Sequence, residues 1–147
     1  MIDATFLAWR PRLLRFCEQL LRNRHDAEEV VQDVFTRLVE READFDLRED
    51  AGVLLFRLAR NRCVDVRRKK TVPVRADLEA IARRDGPDRD LDNALASLPD
   101  AEREALLLTT VEGLGYREVA AILHCSLGTV AAHRFAAIDK MRRRLAP

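Results

Sequence analysis

The chain has 147 residues, of which 48% are apolar and 35% charged, and its formal net charge is +1. That balance excludes a disordered polar tail and any global attraction to polyanions, so nucleic-acid binding has to arise from local clusters. With only five Gly and five Pro spread over long runs of Leu, Ala, Arg and Glu, the chain predicts an all-α fold with no competing strand pattern.

A first helical pattern runs from about Asp3 to Leu21, with Phe6, Trp9, Leu13, Phe16, Cys17 and Leu20 at helical spacing, Trp9 in the core and Pro11 kinking or dividing it. A second helix is announced by Asp26 as N-cap with Glu29 three residues on, and it buries Val30, Val31, Val34, Phe35 and Leu38. Its outer face, Glu28, Glu29, Gln32 and Asp33, is open to two readings. It is either a solvated, dipole-favoured acidic end or a docking surface.

A third helix is predicted from near Arg48 to Gly52 through Lys70, with Leu55, Phe56, Leu58, Ala59, Cys63 and Val66 inward. On its other side Arg57, Asn61, Asp65 and Arg68 share one face, flanked by Arg60, Arg62, Arg67, Lys69 and Lys70. Arginines around an amide supply phosphate anchors and a group able to read a base edge, whereas a merely soluble helix mixes in more acids.

From 71 to 90 the periodicity weakens, and Pro73 and Gly86-Pro87 punctuate an Arg- and Asp-rich linker in which Leu78 to Ile81 spell one helical turn. A second unit, 91–147, follows. Leu91, Leu95 and Leu98 mark a short helix, and Pro99 opens another carrying Leu106, Leu107, Leu108 and Val111. A helix starting near Tyr116 buries Val119, Ala120, Ile122 and Leu123; a turn at His124-Cys125-Ser126 leads into a last helix with Val130, Phe135, Ile138 and Met141 as its stripe. Ser126 is a good N-cap, and His124 tolerates the positive φ such a turn needs. Two helices joined this way are the minimal device for placing one helix in a DNA groove.

Each unit has a limited core and is expected to dock on something larger. The three histidines and three cysteines are scattered on apolar or turn positions, so no nucleophile, base and orienter come together and no metal site is expected; cofactors are likewise not expected. Cys17, Cys63 and Cys125 fit a reducing cytoplasm, and no signal peptide or apolar run of roughly 18 residues is read.

Several segments together resemble the extracytoplasmic-function sigma factors, the two-domain class of the bacterial sigma-70 family. They are Arg12-Leu13-Leu14-Arg15-Phe16, Asp26 through Phe35 and Leu55 through Asp65 in the first unit. In the second they are Leu98-Pro99, Arg103-Glu104, Val111-Glu112-Gly113-Leu114, Tyr116 through Ala120 and Cys125 through Val130. The resemblance implies a region 2-like domain over 1–70, a three- to four-helix bundle, and a region 4-like four-helix domain over 91–147, joined by the 71–90 linker.

Glu29, Gln32 and Asp33 would then meet the clamp helices of the β′ subunit of core RNA polymerase. Leu54, Arg57, Arg60, Asn61, Arg62, Arg67, Arg68, Lys69 and Lys70 would meet the minus-ten element, with Asn61 near the pocket for a flipped base. Ser126, Thr129, Ala132, His133 and Arg134 would meet the minus-thirty-five element in promoter DNA, beside the β flap. An anti-sigma factor is the implied regulator, and no direct membrane insertion follows.

Two departures stand out. Leu54 takes a strand-parting position where relatives carry an aromatic, and Leu wedges but stacks poorly. Ala131, Ala132 and His133 replace residues that are basic or polar in relatives, which removes charge-assisted contacts and loosens or re-specifies upstream recognition. The alternatives are a sigma-like protein that needs an activator and a dimeric helix-turn-helix regulator on a pseudo-palindromic operator.

Overall fold

The structure is a computed structural model that describes residues 4–42, 50–69 and 87–146. Lys70, the Leu78 to Ile81 turn and most of the expected linker lie outside the described residues. The chain divides into two compact units, Met1–Arg75 and Ala76–Pro147.

In the first unit the opening pattern is split as Pro11 predicts. Helix α1, Ala4–Leu7, ends before Trp9, and α2, Arg10–Leu21, carries Pro11 in its first turn, where its missing N–H leaves no helical bond unmade. A tight corner follows. Arg22 adopts the left-handed region at φ 53° and closes α2 through its N–H to the Glu18 carbonyl at 2.7 Å. Asn23 then caps α3, Arg24–Glu40, its side-chain oxygen accepting from the Asp26 N–H at 3.0 Å. The cap is therefore Asn23, and Asp26 sits inside the first turn as an acid at the positive end of the dipole.

Helix α4, Ala51–Lys69, is capped by Asp50, whose carboxylate accepts from the Val53 N–H at 3.2 Å. The core gathers Leu13, Phe16, Cys17 and Leu20 of α2, Val30, Val31, Val34 and Leu38 of α3, and Leu54, Leu55, Phe56, Ala59 and Cys63 of α4. Phe56 is its centre, meeting Phe16 edge-on at 5.2 Å and Trp9 edge-on at 6.1 Å between ring centroids. Trp9 is half-buried: its indole lies across Gly52, and the Arg12 guanidinium stands 4.2 Å above the ring.

In the second unit α5, Pro87–Ala96, begins inside the stretch read as linker from its Gly-Pro punctuation, because Pro87 opens the helix instead of breaking it. Helix α6, Asp100–Leu106, runs into a π-helical turn over Leu107–Val111 that closes with the Glu112 N–H on the Leu107 carbonyl at 2.9 Å. The wider turn slips the apolar stripe, so Val111, expected inside, is 66% exposed. Gly113 at φ 70° turns the chain into α7, Tyr116–Leu123. His124 takes the left-handed position at φ 56°, as the turn requires, and Ser126 caps α8, Leu127–Leu145, by accepting from the Thr129 N–H at 3.1 Å.

One residue fixes the corner between α5 and α6. Arg103 is almost wholly buried and donates to three backbone carbonyls, those of Leu95 at 2.9 Å, Ala96 at 3.0 Å and Leu98 at 2.7 Å, and to Asp100 at 3.2 Å. The Leu95 and Ala96 carbonyls belong to the last turn of α5, where helical donors run out, although Leu95 also accepts from the Leu98 N–H at 3.2 Å; Leu98 lies in the turn that follows. Lys140 of α8 bridges both carboxylate oxygens of Glu102 at 2.7 and 3.0 Å, tying α8 to α6.

The buried seam of α8 is Val130, Ala137 and Met141. Phe135, expected on that seam, is 76% exposed, because five residues beyond Val130 turn the helix by about 140°.

Candidate polymerase and DNA interfaces

The acidic face of α3 emerges with every acid already engaged. Glu28 is bonded by Arg24 at 3.1 Å and Glu29 faces His25 at 3.1 Å, both pairs one helical turn apart. Gln32 accepts from Arg10 of α2 at 3.3 Å and donates to the Thr36 hydroxyl at 3.5 Å. The Asp33 carboxylate is held between Arg37 at 3.2 Å and Arg62 of α4 at 3.1 Å. Arg10, Leu14, His25, Glu28, Glu29, Gln32, Asp33 and Thr36 line one groove of about 650 Å³. Such a surface can exchange its own exposed cations for those of a partner, which sets orientation and encounter rate more than affinity.

Along α4 the half opposite Phe56, Ala59 and Cys63 bears Arg57 and Asn61, both half-buried, then Asp65 and Arg68, both exposed, with Lys69 exposed at the end. Arg60 and Arg67 flank that face, half-buried. Two expected contacts are altered. Leu54 is fully buried, because the run from Gly52 to Phe56 is enclosed on all sides, so it offers no wedge to a base. Arg62 lies on the flank turned to α3, where its side chain is 27% exposed and its guanidinium holds Asp33, a role the sequence did not signal. Lys70 lies outside the described residues.

In the second unit Ser126 and Thr129 stand at the first turn of α8, their hydroxyls 2.9 Å apart. Ala132 is exposed, and His133 and Arg134 are half-buried on the flanks. A capped N-terminus at the exposed start of the second helix of a helix-turn-helix is the geometry that presents a helix to a DNA groove.

The Cys17 thiol is pushed well above its ordinary value by its hydrogen bond with Cys63 and by burial, which makes it an inert core group. Among the described residues no group of His, Cys, Asp and Glu could hold a metal ion, and no single helix is long and apolar enough to cross a membrane.

A bundle with an acid-and-amide groove beside a basic helix, in one chain with a helix-turn-helix, is the layout of a two-domain helical protein of the helix-turn-helix class. Comparison with known proteins agrees. The family model for sigma-70 region 2 matches residues 5–72, and that for sigma-70, region 4 matches residues 88–141. Among curated relatives, the ECF RNA polymerase sigma factor SigE of Mycolicibacterium smegmatis is 32% identical over 92% of this chain and 58% of its own length. The ECF RNA polymerase sigma factor RpoE of Cereibacter sphaeroides is 30% identical over 81% of this chain and 72% of its own. Among solved structures, the sigma factor RpoE in complex with the anti-sigma factor NepR from Bartonella quintana superposes with a TM-score of 0.81 at 22% identity, covering 96% of this chain and 94% of that one. The chain belongs to the sigma-70 family, in its extracytoplasmic-function class, whose members are transcription initiation factors and not enzymes.

Proposed function

We propose that this chain is a dissociable promoter-specificity subunit of bacterial RNA polymerase that works in the cytoplasm and answers a stress or other signal through an anti-sigma factor. In this reading residues 1–70 and 91–147 are the two working domains. Glu29, Gln32 and Asp33 dock on the β′ clamp helices. Arg57, Arg60, Asn61, Arg67, Arg68 and Lys69 serve the minus-ten element, and Ser126, Thr129, Ala132, His133 and Arg134 serve the minus-thirty-five element. The solved relative bound to NepR supports an anti-sigma partner.

The observation that carries the reading is the groove on α3. It sets Glu29, Gln32 and Asp33 together beside replaceable arginines, on the same unit as the basic helix α4. Opening duplex DNA costs a few kcal/mol per unstacked step, and phosphate anchors on α4 next to a polymerase contact offset it. Copurification with core polymerase tests this. The wild-type chain is expected to bind, Glu29→Arg, at a side chain 67% exposed, is expected to lose binding while keeping its melting temperature, and equal binding by both would reject the docking assignment.

A further inference from the structure

The outward side of α8 carries an unusual surface for a helix that meets DNA. Leu127, Gly128, Ala131, Ala132 and Phe135 are all exposed over its first two and a half turns, Leu127 to 45% and Phe135 to 76%. None of these side chains holds a nitrogen or oxygen. Gly128, Ala131, Ala132 and Phe135 lie about 100–160° around the helix from Val130 of the seam, with Leu127 at the edge, and that is the side a second helix of a helix-turn-helix turns to the major groove. Charge returns only farther along, where Asp139 pairs with Arg143 at 2.9 Å and Arg142 and Arg144 are exposed in the last turn.

A guanine facing Ala131 or Ala132 would give up water from its O6 and N7 acceptors and receive no donor in return. Thymine is the one base that offers this surface an apolar partner, its C5-methyl group. We propose that α8 reads its upstream element by apolar contact with thymine methyls, through Ala131, Ala132 and Phe135, so that the element is A·T-rich where these side chains touch it. Orientation is left to the capped N-terminus and to the flanking Thr129, His133 and Arg134, and Arg142 and Arg144 supply phosphate contacts.

Duplex DNA is favoured as the occupant over a protein groove because the stripe is continuous with the helix-turn-helix surface and ends in arginines that match phosphate. The proposal rests on the second unit binding upstream promoter DNA.

The test uses holoenzyme assembled from the full chain and core polymerase. Upstream elements are selected from a random duplex pool, and each selected thymine is then replaced by deoxyuridine, which removes the methyl and nothing else. Thymine-containing sites are expected to emerge, with a loss of roughly fourfold in affinity for each contacted methyl removed. Phe135→Ala is expected to erase the thymine-over-deoxyuridine preference at one position, with an unchanged melting temperature since the ring is exposed.

A guanine-containing element indifferent to deoxyuridine would overturn the proposal while leaving the chain a sigma factor. So would a Phe135→Ala chain with normal DNA preference that no longer binds an anti-sigma protein, which would assign the face to a protein partner. Failure of the holoenzyme to bind even a forked minus-ten duplex would overturn this proposal and the functional reading beneath it together.

Discussion

Replacing Arg103 by alanine removes the donor that closes the α5–α6 corner. Two of its carbonyl bonds, to Leu95 at 2.9 Å and Leu98 at 2.7 Å, are buried, whereas the bond to Ala96 at 3.0 Å is partly open to water. Water can replace the third bond. The Leu98 acceptor is left dry, at about 1–3 kcal/mol, whereas the Leu95 carbonyl keeps the Leu98 N–H at 3.2 Å and loses one bond of about 1 kcal/mol, so the change costs about 3 kcal/mol. The contact with Asp100 adds little, since that carboxylate is 62% exposed.

For a unit of this size 1 kcal/mol corresponds to about 4–8 °C, so the second unit is expected to melt about 12–24 °C lower. Arg103→Lys keeps the charge but presents a point donor in place of a fork, and it should recover about half of the loss. The assay is thermal unfolding of the full chain by circular dichroism, with amide hydrogen exchange to locate the change. Protection should fall in α5 through α8 and persist in α2 through α4. A shift below about 5 °C would refute the assignment of Arg103 as the residue holding this corner.

Three further outcomes follow from the same geometry. Because Arg62 is committed to Asp33 at 3.1 Å, Arg62→Ala should weaken forked minus-ten DNA binding by holoenzyme less than Arg68→Ala does; an equal or larger loss would restore Arg62 as a DNA contact. Gly52→Ala places a Cβ 2.6 Å from the Trp9 ring, and overpacking of about 1–3 kcal/mol exceeds the helix-propensity gain of about 1 kcal/mol, so the net effect is destabilising. A shifted emission maximum of Trp9, the sole tryptophan, would report the displaced ring. The raised Cys17 thiol gives a pH dependence of known sign: above the ordinary thiol range the unfolded chain releases a proton that the native state retains, so stability falls as pH rises there and is unaffected near neutrality. Urea midpoints across that range check it, and Cys17→Ala should flatten the slope.

Much of the architecture was legible because its signals are local. The helical spacing of Leu13, Phe16, Cys17 and Leu20, the proline in the first turn of α2, and the Ser126 cap behind a positive-φ His124 each act within a few residues. What was not legible depends on tertiary context. Asn23 and Asp26 are both competent caps, and only the left-handed Arg22 before Asn23 decides between them. Leu54 is placed on a strand-parting surface by the family resemblance alone, and the apolar run from Gly52 to Phe56 has no period to show that it is covered.

The π turn over Leu107–Val111 slips the register that predicted Val111 inside, and the seam of α8 runs through the small Ala137, so the larger Phe135 was mistaken for its member. Arg103 reads as an ordinary surface charge until the three carbonyls converge on it. At the sites, residue types pointed to the acidic face and the basic helix; the Arg62–Asp33 pair linking them needed the packing of α4 on α3.

The most direct measurement is transcription in vitro from a library of promoter fragments, with start sites mapped, using core polymerase with and without this chain. The account predicts initiation at a discrete set of promoters only when the chain is present, abolished by the exposed-site change Glu29→Arg. Unchanged start sites in the presence of the chain, with its partner conditions varied, would contradict it.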